Sequence, residues 1–196
     1  HENEIAQSCG SCNENNNPKV YVKYWIHNAL LTMDGEKMSK SVGNILYIRD
    51  LLKEYSGEVL RLSLLSAHYR QPLNLTADVL RQSQTILDRF YRNLKKNESI
   101  PIYSNPIEYL SNNFLEALCD DLNTSKAIAA MNEISKRLSV ADEENKKELK
   151  TQLIASGYVL GILEQNPDQW LGLNKAGDGI DPNLIKELIS KRSIAR

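Results

Sequence analysis

Two lysines and two serines fall within five residues at Lys37-Met38-Ser39-Lys40-Ser41. Ammonium groups and hydroxyls at this spacing can offer positive charge and hydrogen-bond donors to a polyphosphate. Gly43 follows closely and would permit the hinge movement that closing a loop over a ligand requires. A basic turn on a protein surface has the same composition, so the segment predicts chemistry only together with the elements around it.

The elements on either side must hold this loop in place. The stretch Tyr21–Met33 is apolar and partly β-branched or aromatic, and Asp34-Gly35 is a tight-turn signal, so the pattern predicts a β-hairpin. After the loop, Ile45–Tyr55 reads as a short helix, since its apolar residues fall on one side: Ile48, Leu51, Leu52 and Tyr55. Rigid elements are therefore expected to present the loop.

With these neighbours, Lys37–Ser41 resembles the KMSKS signature of class I aminoacyl-tRNA synthetases. Glu58-Val59-Leu60-Arg61 is similar to a segment that follows the signature in that class. His1–Ser8 is similar to the zinc-site helix of the cysteinyl-tRNA synthetase family. Two more segments resemble that family: Ser66–Arg70 and Asp120–Thr124.

The resemblance implies a cysteine–tRNA ligase, which activates cysteine with ATP and magnesium and then transfers it to tRNA. Lys40 would be the main catalytic and ATP-binding residue, and Lys37 would support it. Ser39 and Ser41 would belong to the ATP-binding loop and shape it. Attack on the α-phosphate spreads negative charge over phosphate oxygens, and positive charge held in position stabilises that transition state.

The resemblance also implies zinc at the opening helix, with Glu4 as a ligand. An exposed acid near a helix start has the same residue type and needs no metal. The family motif has two consecutive histidines, of which the first binds zinc, and His1 matches the second. The imidazole ligand and two cysteine ligands are therefore expected before this chain. Zinc would bind the substrate thiol as thiolate and favour sulfur over the hydroxyl of serine.

A second metal-like pattern is the pair Cys9 and Cys12. A structural zinc site needs four ligands, whereas Cys119 is distant in sequence and His27 and His68 stand singly. We favour an inert loop pair over metal binding. Three cysteines in a chain of this size argue for a reducing compartment, so the cytoplasm is the expected location.

The charge distribution favours a local RNA contact over an extensive basic surface. The net charge is −1, with a slightly basic first half and a slightly acidic second half. The helix predicted over 76–96 carries five cations largely away from its apolar stripe: Arg81, Arg89, Arg92, Lys95 and Lys96. A solvated charged face would look the same. The resemblance implies a weak tRNA-binding role, since phosphates dominate affinity for RNA.

From Thr76 onward, helices with short connections predict a mostly antiparallel bundle. Capping signals place the helix starts at Thr76, Asn105-Pro106, Asn123-Thr124 and Asp142. The apolar stripes expected inside are Val79, Leu80, Ile86, Leu87, Phe90 and Leu94; Ile107, Leu110, Phe114 and Leu118; Ile128, Met131, Ile134 and Leu138; Leu149, Leu153, Leu160 and Leu163. The expected fold class is mainly α: the end of a class I, Rossmann-type catalytic domain with a short β-hairpin, then an antiparallel helical bundle.

Three regions are expected. Residues 1–75 would end the catalytic domain, 76–165 would form the tRNA-binding bundle, and 166–196 would be a linker and a further helix from Asp181-Pro182. Because a HIGH motif and most zinc ligands are missing, the chain alone is expected to be inactive. No apolar run reaches membrane-spanning length. The protein is expected to be a monomer. Two alternatives remain open: a related cysteine ligase that acylates an amino sugar, and a non-catalytic RNA-binding module derived from a synthetase.

Overall fold

The computed structural model describes residues 2–12, 22–33, 35–37, 45–173 and 191. Its α-helices are α1 Glu2–Cys12, α2 Ile48–Leu51, α3 Gly57–Leu65, α4 Ala77–Lys96, α5 Asn112–Cys119, α6 Thr124–Val140, α7 Glu143–Leu160 and α8 Pro167–Trp170. The strands are β1 Leu31–Met33, β2 Glu36–Lys37 and β3 Leu73–Asn74. In the described residues, no helix combines the length and the apolar character that crossing a membrane requires.

The strands form one small sheet in the order β2-β1-β3. β1 and β2 pair antiparallel, with Met33 opposite Glu36, which confirms the predicted hairpin. Gly35 in the connection has a φ of 82°, a left-handed conformation that glycine adopts without strain. β3 pairs with β1 in parallel, with Leu31 opposite Leu73, and this pairing was not predicted.

The mainly helical fold is confirmed, and three of the predicted helix starts are correct. Thr76, Asn123 and Asp142 each accept a hydrogen bond from a backbone N–H in the first turn of α4, α6 and α7. This contact satisfies an amide that has no partner inside the helix. The short connections then let α6 pack on both α5 and α7.

The predicted apolar stripes supply most of the core. The largest fully buried side chains of these stripes include Leu87 and Phe90 of α4, Phe114 of α5 and Met131 of α6. Each such side chain contributes about 1.5–3 kcal/mol when it leaves water. α3 adds Val59 and Leu62 to the same core, so the bundle and the region before it share one apolar interior.

The helix predicted over Ile45–Tyr55 is mostly wrong. Only Ile48–Leu51 is α-helical, and the chain continues through turns. Ile48 is 67% exposed and Leu52 is 49% exposed, so little apolar burial holds a longer helix together.

The helix predicted to start at Asn105-Pro106 is also wrong in form. Pro106–Tyr109 is a 3₁₀ helix, and α5 begins only after Ser111, whose side chain accepts from Phe114 N–H and caps it. The break turns Ile107 outward, where it is 43% exposed. The helix predicted from Asp181-Pro182 lies outside the described residues apart from Lys191.

Candidate functional site

The structure describes the base of the lysine- and serine-rich loop. Lys37 is the last residue of β2, and its Cα lies opposite that of Thr32. Ser39, Lys40 and Ser41 lie outside the described residues, as does Gly43. The predicted ATP contacts therefore stay predictions.

Asn74 of β3 anchors the hairpin that leads into the loop. Its Oδ1 accepts a hydrogen bond from Gly35 N–H at 3.2 Å and from the Thr32 hydroxyl at 3.4 Å. The parallel ladder adds a bond from Leu75 N–H to the Thr32 carbonyl at 2.9 Å. The turn before Lys37 is thus tied to a strand distant in sequence.

A carboxylate in the turn between α5 and α6 joins the bundle to residues 68–70. Tyr69 Oη donates to Asp121 Oδ1 at 2.6 Å, and Arg70 Nε donates to Oδ2 at 2.6 Å. His68 Nε2 lies 2.9 Å from the Asp121 carbonyl. We call His68, Tyr69, Arg70 and Asp121 the Asp121 joint.

The neighbours of Asp121 within this joint favour the ionised form of its carboxyl group. The hydrogen bonds from Arg70 and then Tyr69 hold the pKa of Asp121 below its ordinary value. The same carboxylate raises the pKa of the Tyr69 hydroxyl.

The sequence predicted that these residues are structural and that either Asp121 or Asn123 caps the helix that follows. The cap of α6 is Asn123, whose Oδ1 accepts a hydrogen bond from Lys126 N–H at 3.1 Å.

A second carboxylate joins segments inside the core. Glu58 of α3 is 8% exposed and accepts a hydrogen bond from Tyr91 Oη at 2.9 Å. It also accepts from Leu163 N–H at 3.0 Å and Glu164 N–H at 3.1 Å. Burial, together with the nearby carboxylate, raises the pKa of the Tyr91 hydroxyl. The carboxylate therefore links α3, α4 and the segment after α7.

Arg61, which ends the family-like segment Glu58–Arg61, packs on the end of α7. A Cβ placed on Gly161 would lie 2.8 Å from Arg61 Nη1, so the guanidinium would have to shift to make room for a side chain there. Gly161 also has a φ of 66°, the left-handed conformation typical of a helix end. Both ends of the segment Glu58–Arg61 thus lie against the chain at the end of α7.

The five cations of α4 divide into two groups. Three lie beside carboxylates: Arg81 beside Asp78, Arg92 at 3.6 Å from Asp88, and Lys95 at 2.6 Å from Glu98 and 2.8 Å from Asp168. Arg89 instead donates to the neutral Asn132 Oδ1 of α6 at 2.5 Å and forms no ion pair with the residues that the structure describes. Lys96 is exposed and forms no ion pair with any residue that the structure describes.

A groove runs between α4 and α6 on this side of the bundle. Its volume is about 480 Å³, and its lining residues are Arg89, Asn93, Ala129, Asn132, Glu133, Lys136 and Ser139. Lys136 is exposed and, like Lys96, has no ion-pair partner within the described ranges. Arg89 and Lys136 therefore bring two positive charges to this groove from α4 and α6, and Glu133 brings one carboxylate.

Glu4 lies exposed in the first turn of α1. Within the described residues, no group of three or more His, Cys, Asp or Glu side chains could hold a metal ion. The predicted role of Glu4 as a zinc ligand therefore stays a prediction. Cys9 and Cys12 lie on α1 and not in the predicted loop, and Cys9 is a free thiol.

Two family models match the chain. One, described as tRNA synthetases class I (C) catalytic domain, matches residues 1–85, and the other, described as DALR domain, matches residues 113–164. The first match includes the hairpin, α3 and β3, and the second includes most of α5, α6 and α7. Fold and matches together define the class, a class I aminoacyl-tRNA synthetase.

Three relatives narrow the class. The cysteine–tRNA ligase of Parvibaculum lavamentivorans is 41% identical over 197 residues, and that of Maricaulis maris is 42% identical over 200 residues. That of Rickettsia bellii is 37% identical over 199 residues. The chain belongs to the cysteinyl-tRNA synthetase family, which confirms the resemblance. All of the chain is covered in these comparisons, but it spans only 40–41% of the length of these relatives.

Proposed function

We propose that the protein containing this chain joins cysteine to tRNA. In the first step ATP activates cysteine as an adenylate and releases pyrophosphate, and in the second step the cysteinyl group passes to tRNA. The observation that supports this proposal is the anchored hairpin, in which Lys37 ends β2, in a chain of this family.

The loop would act on the phosphates of magnesium-bound ATP. Lys40 would contact the phosphates most directly and Lys37 would support it, while Ser39 and Ser41 would shape the loop. Lysine suits this role because its ammonium is a mobile point charge with three donors. The tie from Asn74 to the turn supports this proposal, since a loop that closes needs a fixed base.

The RNA-binding surface that we propose is centred on the groove between α4 and α6. Arg89 and Lys136 line this groove, and Lys96 lies nearby on α4. These cations would contact tRNA phosphates, whereas Arg81, Arg92 and Lys95 would contribute less because carboxylates already neutralise them.

Salt-dependent tRNA binding tests this surface in the full-length protein. The double variant Arg89→Ala and Lys136→Ala is expected to lower the slope of log affinity against log salt by roughly 1 for each phosphate that the variant no longer neutralises. Arg81→Ala is the matched control, since Arg81 lies beside Asp78. Equal slopes for the wild type and the double variant would place the RNA elsewhere.

Glu4 would supply one ligand to a zinc ion that holds the cysteine substrate. A bound zinc ion lowers the pKa of a coordinated thiol and keeps it as thiolate. The carboxylate of Glu4 is exposed on α1 and open to an incoming group. Measuring the zinc content and the zinc affinity of the full-length protein and of its Glu4→Ala variant tests this role. If both are unchanged in the variant, Glu4 is not a zinc ligand.

The division at residues 75 and 165, the monomeric state and the cytoplasmic location are part of the same proposal. The cap at Thr76, which starts α4, supports the first boundary. The free thiols of Cys9 and Cys119 are consistent with a reducing compartment. Sedimentation of the full-length protein tests the monomer, and a concentration-dependent dimer would contradict it.

Cysteinylation of tRNA by the full-length protein tests the function directly. Charging of tRNA is expected, with no product from an amino sugar. Acylation of the sugar alone would favour the related ligase, and binding of tRNA without either product would favour a non-catalytic module. The 196-residue chain alone is expected to show no cysteine-dependent ATP–pyrophosphate exchange.

A further inference from the structure

Residues 67–70 are held from two sides. On the bundle side, Asp121 binds Tyr69 and Arg70, and the Thr124 hydroxyl lies 3.4 Å from the Ala67 carbonyl. On the other side, Ala29 N–H donates to the Tyr69 carbonyl at 2.8 Å. Tyr69 therefore contacts both the turn before α6 and the chain that enters β1.

This contact continues into the base of the loop. Two residues after Ala29 the chain enters β1, which pairs with β2 on one side and with β3 on the other. β3 follows Arg70 closely and carries Asn74, which holds the turn at Gly35. The Asp121 joint and the loop base are thus connected through both the backbone ladder and a short stretch of chain.

The backbone at the Asp121 joint has an unusual conformation. Asp121 has a φ of 50° and Leu122 a φ of 54°, the left-handed region that non-glycine residues rarely adopt. Leu122 is 48% exposed, so burial of its side chain does not explain this conformation. The conformation directs the Asp121 carboxylate at Tyr69 and Arg70, and such strain persists where surrounding contacts hold it.

We propose that Asp121 is a positioning residue for the ATP loop, because its carboxylate fixes the β1–β2 hairpin relative to the helical bundle. The catalytic consequence rests on the proposed function. RNA bound on the bundle and ATP held by the loop would then meet in a fixed geometry. A displacement of the hairpin would slow the reaction without removing any cation from the RNA surface.

Asp121→Asn in the full-length protein isolates the charge of this carboxylate. Asparagine has the same shape and tolerates the left-handed conformation, so the backbone can stay in place. Asp120→Asn is the matched control, since Asp120 is the preceding carboxylate, has a 63% exposed side chain, and lies 3.7 Å from Lys126. Tyr69→Phe is a second variant that removes one donor and leaves all charges unchanged.

Hydrogen exchange of the amides in residues 29–37 is the primary readout. Exchange there is expected to accelerate about tenfold in Asp121→Asn, by a smaller factor in Tyr69→Phe, and not at all in Asp120→Asn. Unchanged exchange in both joint variants overturns the proposal, and so does an equal acceleration in Asp120→Asn.

Cysteinylation kinetics give the catalytic readout. For Asp121→Asn, kcat is expected to fall about tenfold while KM for tRNA stays within about twofold. A rise in KM with unchanged kcat contradicts positioning and assigns Asp121 to RNA binding. If the wild type charges no tRNA, the proposed function fails, and the exchange measurement still decides whether Asp121 positions the hairpin.

Discussion

Two carboxylates, Glu58 and Asp121, each join distant parts of this chain, but they do so in different surroundings. Glu58 is 8% exposed and accepts from the Tyr91 hydroxyl and from two backbone amides. The Asp121 side chain is 47% exposed and binds the side chains of Tyr69 and Arg70. One carboxylate lies in the core, and the other lies at a partly solvated joint.

The difference in burial predicts different roles for the two carboxylates, one in stability and one in geometry. Removing a buried acceptor leaves its donors without partners and without water, which costs the full desolvation of each. An exposed ion pair stabilises a fold only slightly, because water competes for both charges. We therefore expect Glu58 to matter for folding and Asp121 to matter for where the hairpin lies.

The largest effect is expected for Glu58→Ala. This substitution leaves the buried Tyr91 hydroxyl and two part-buried backbone amides without their acceptor, so the free energy of unfolding should fall by about 3 kcal/mol. Urea denaturation of the chain measures it. Glu148→Ala, an exposed carboxylate on α7, should change the stability by less than about 0.5 kcal/mol. Equal stability of the two variants would contradict the burial argument.

A smaller loss is expected for Tyr91→Phe. Phenylalanine keeps the ring stacked on Trp170, where the ring centroids are 4.5 Å apart, but it removes the donor to Glu58 and the acceptor for Gln165 N–H. The free energy of unfolding should fall by about 1.5 kcal/mol, as measured by urea denaturation. Tyr158→Phe, which alters a residue 69% exposed, is the control. A Tyr91→Phe variant as stable as the wild type would show that the hydroxyl contributes only shape.

Local cues in the sequence predicted the bundle well. Capping residues such as Thr76, Asn123 and Asp142 act on amides in the next helical turn, so their effect is visible in a short stretch of sequence. The hairpin was predictable for the same reason, since Gly35 marks its turn.

Contacts between distant segments could not be predicted in this way. The pairing of β1 with β3 and the bond from Arg70 to Asp121 join residues far apart in the chain, and neither leaves a local pattern. The division of the α4 cations was only partly open to prediction. Local pairs three or four residues apart neutralise Arg81, Arg92 and Lys95, whereas the contact of Arg89 with Asn132 joins two helices. The lysine loop was found by resemblance, and its atomic contacts with ATP remain predictions.

The pH dependence of the Asp121 joint gives the smallest expected effect. Its neighbours hold the pKa of Asp121 below the ordinary value of 3.8, so its contribution to stability is present above that value and is lost as the pH falls through the lowered pKa. The difference in melting temperature between the wild type and Asp121→Asn should therefore be largest near neutral pH and vanish in acid. A difference that grows on acidification would contradict this assignment.

Cysteine-dependent ATP–pyrophosphate exchange by the full-length protein tests the central claim most directly. Lys40→Ala should lower the exchange rate at least about 100-fold, because positive charge at the transferred phosphate is removed, while KM for cysteine stays within about twofold. Lys53→Ala is the control, since Lys53 is an exposed lysine 2.7 Å from Asp50. We predict a large fall in the exchange rate for Lys40→Ala only, and unchanged exchange in that variant would contradict the role of the loop in ATP activation.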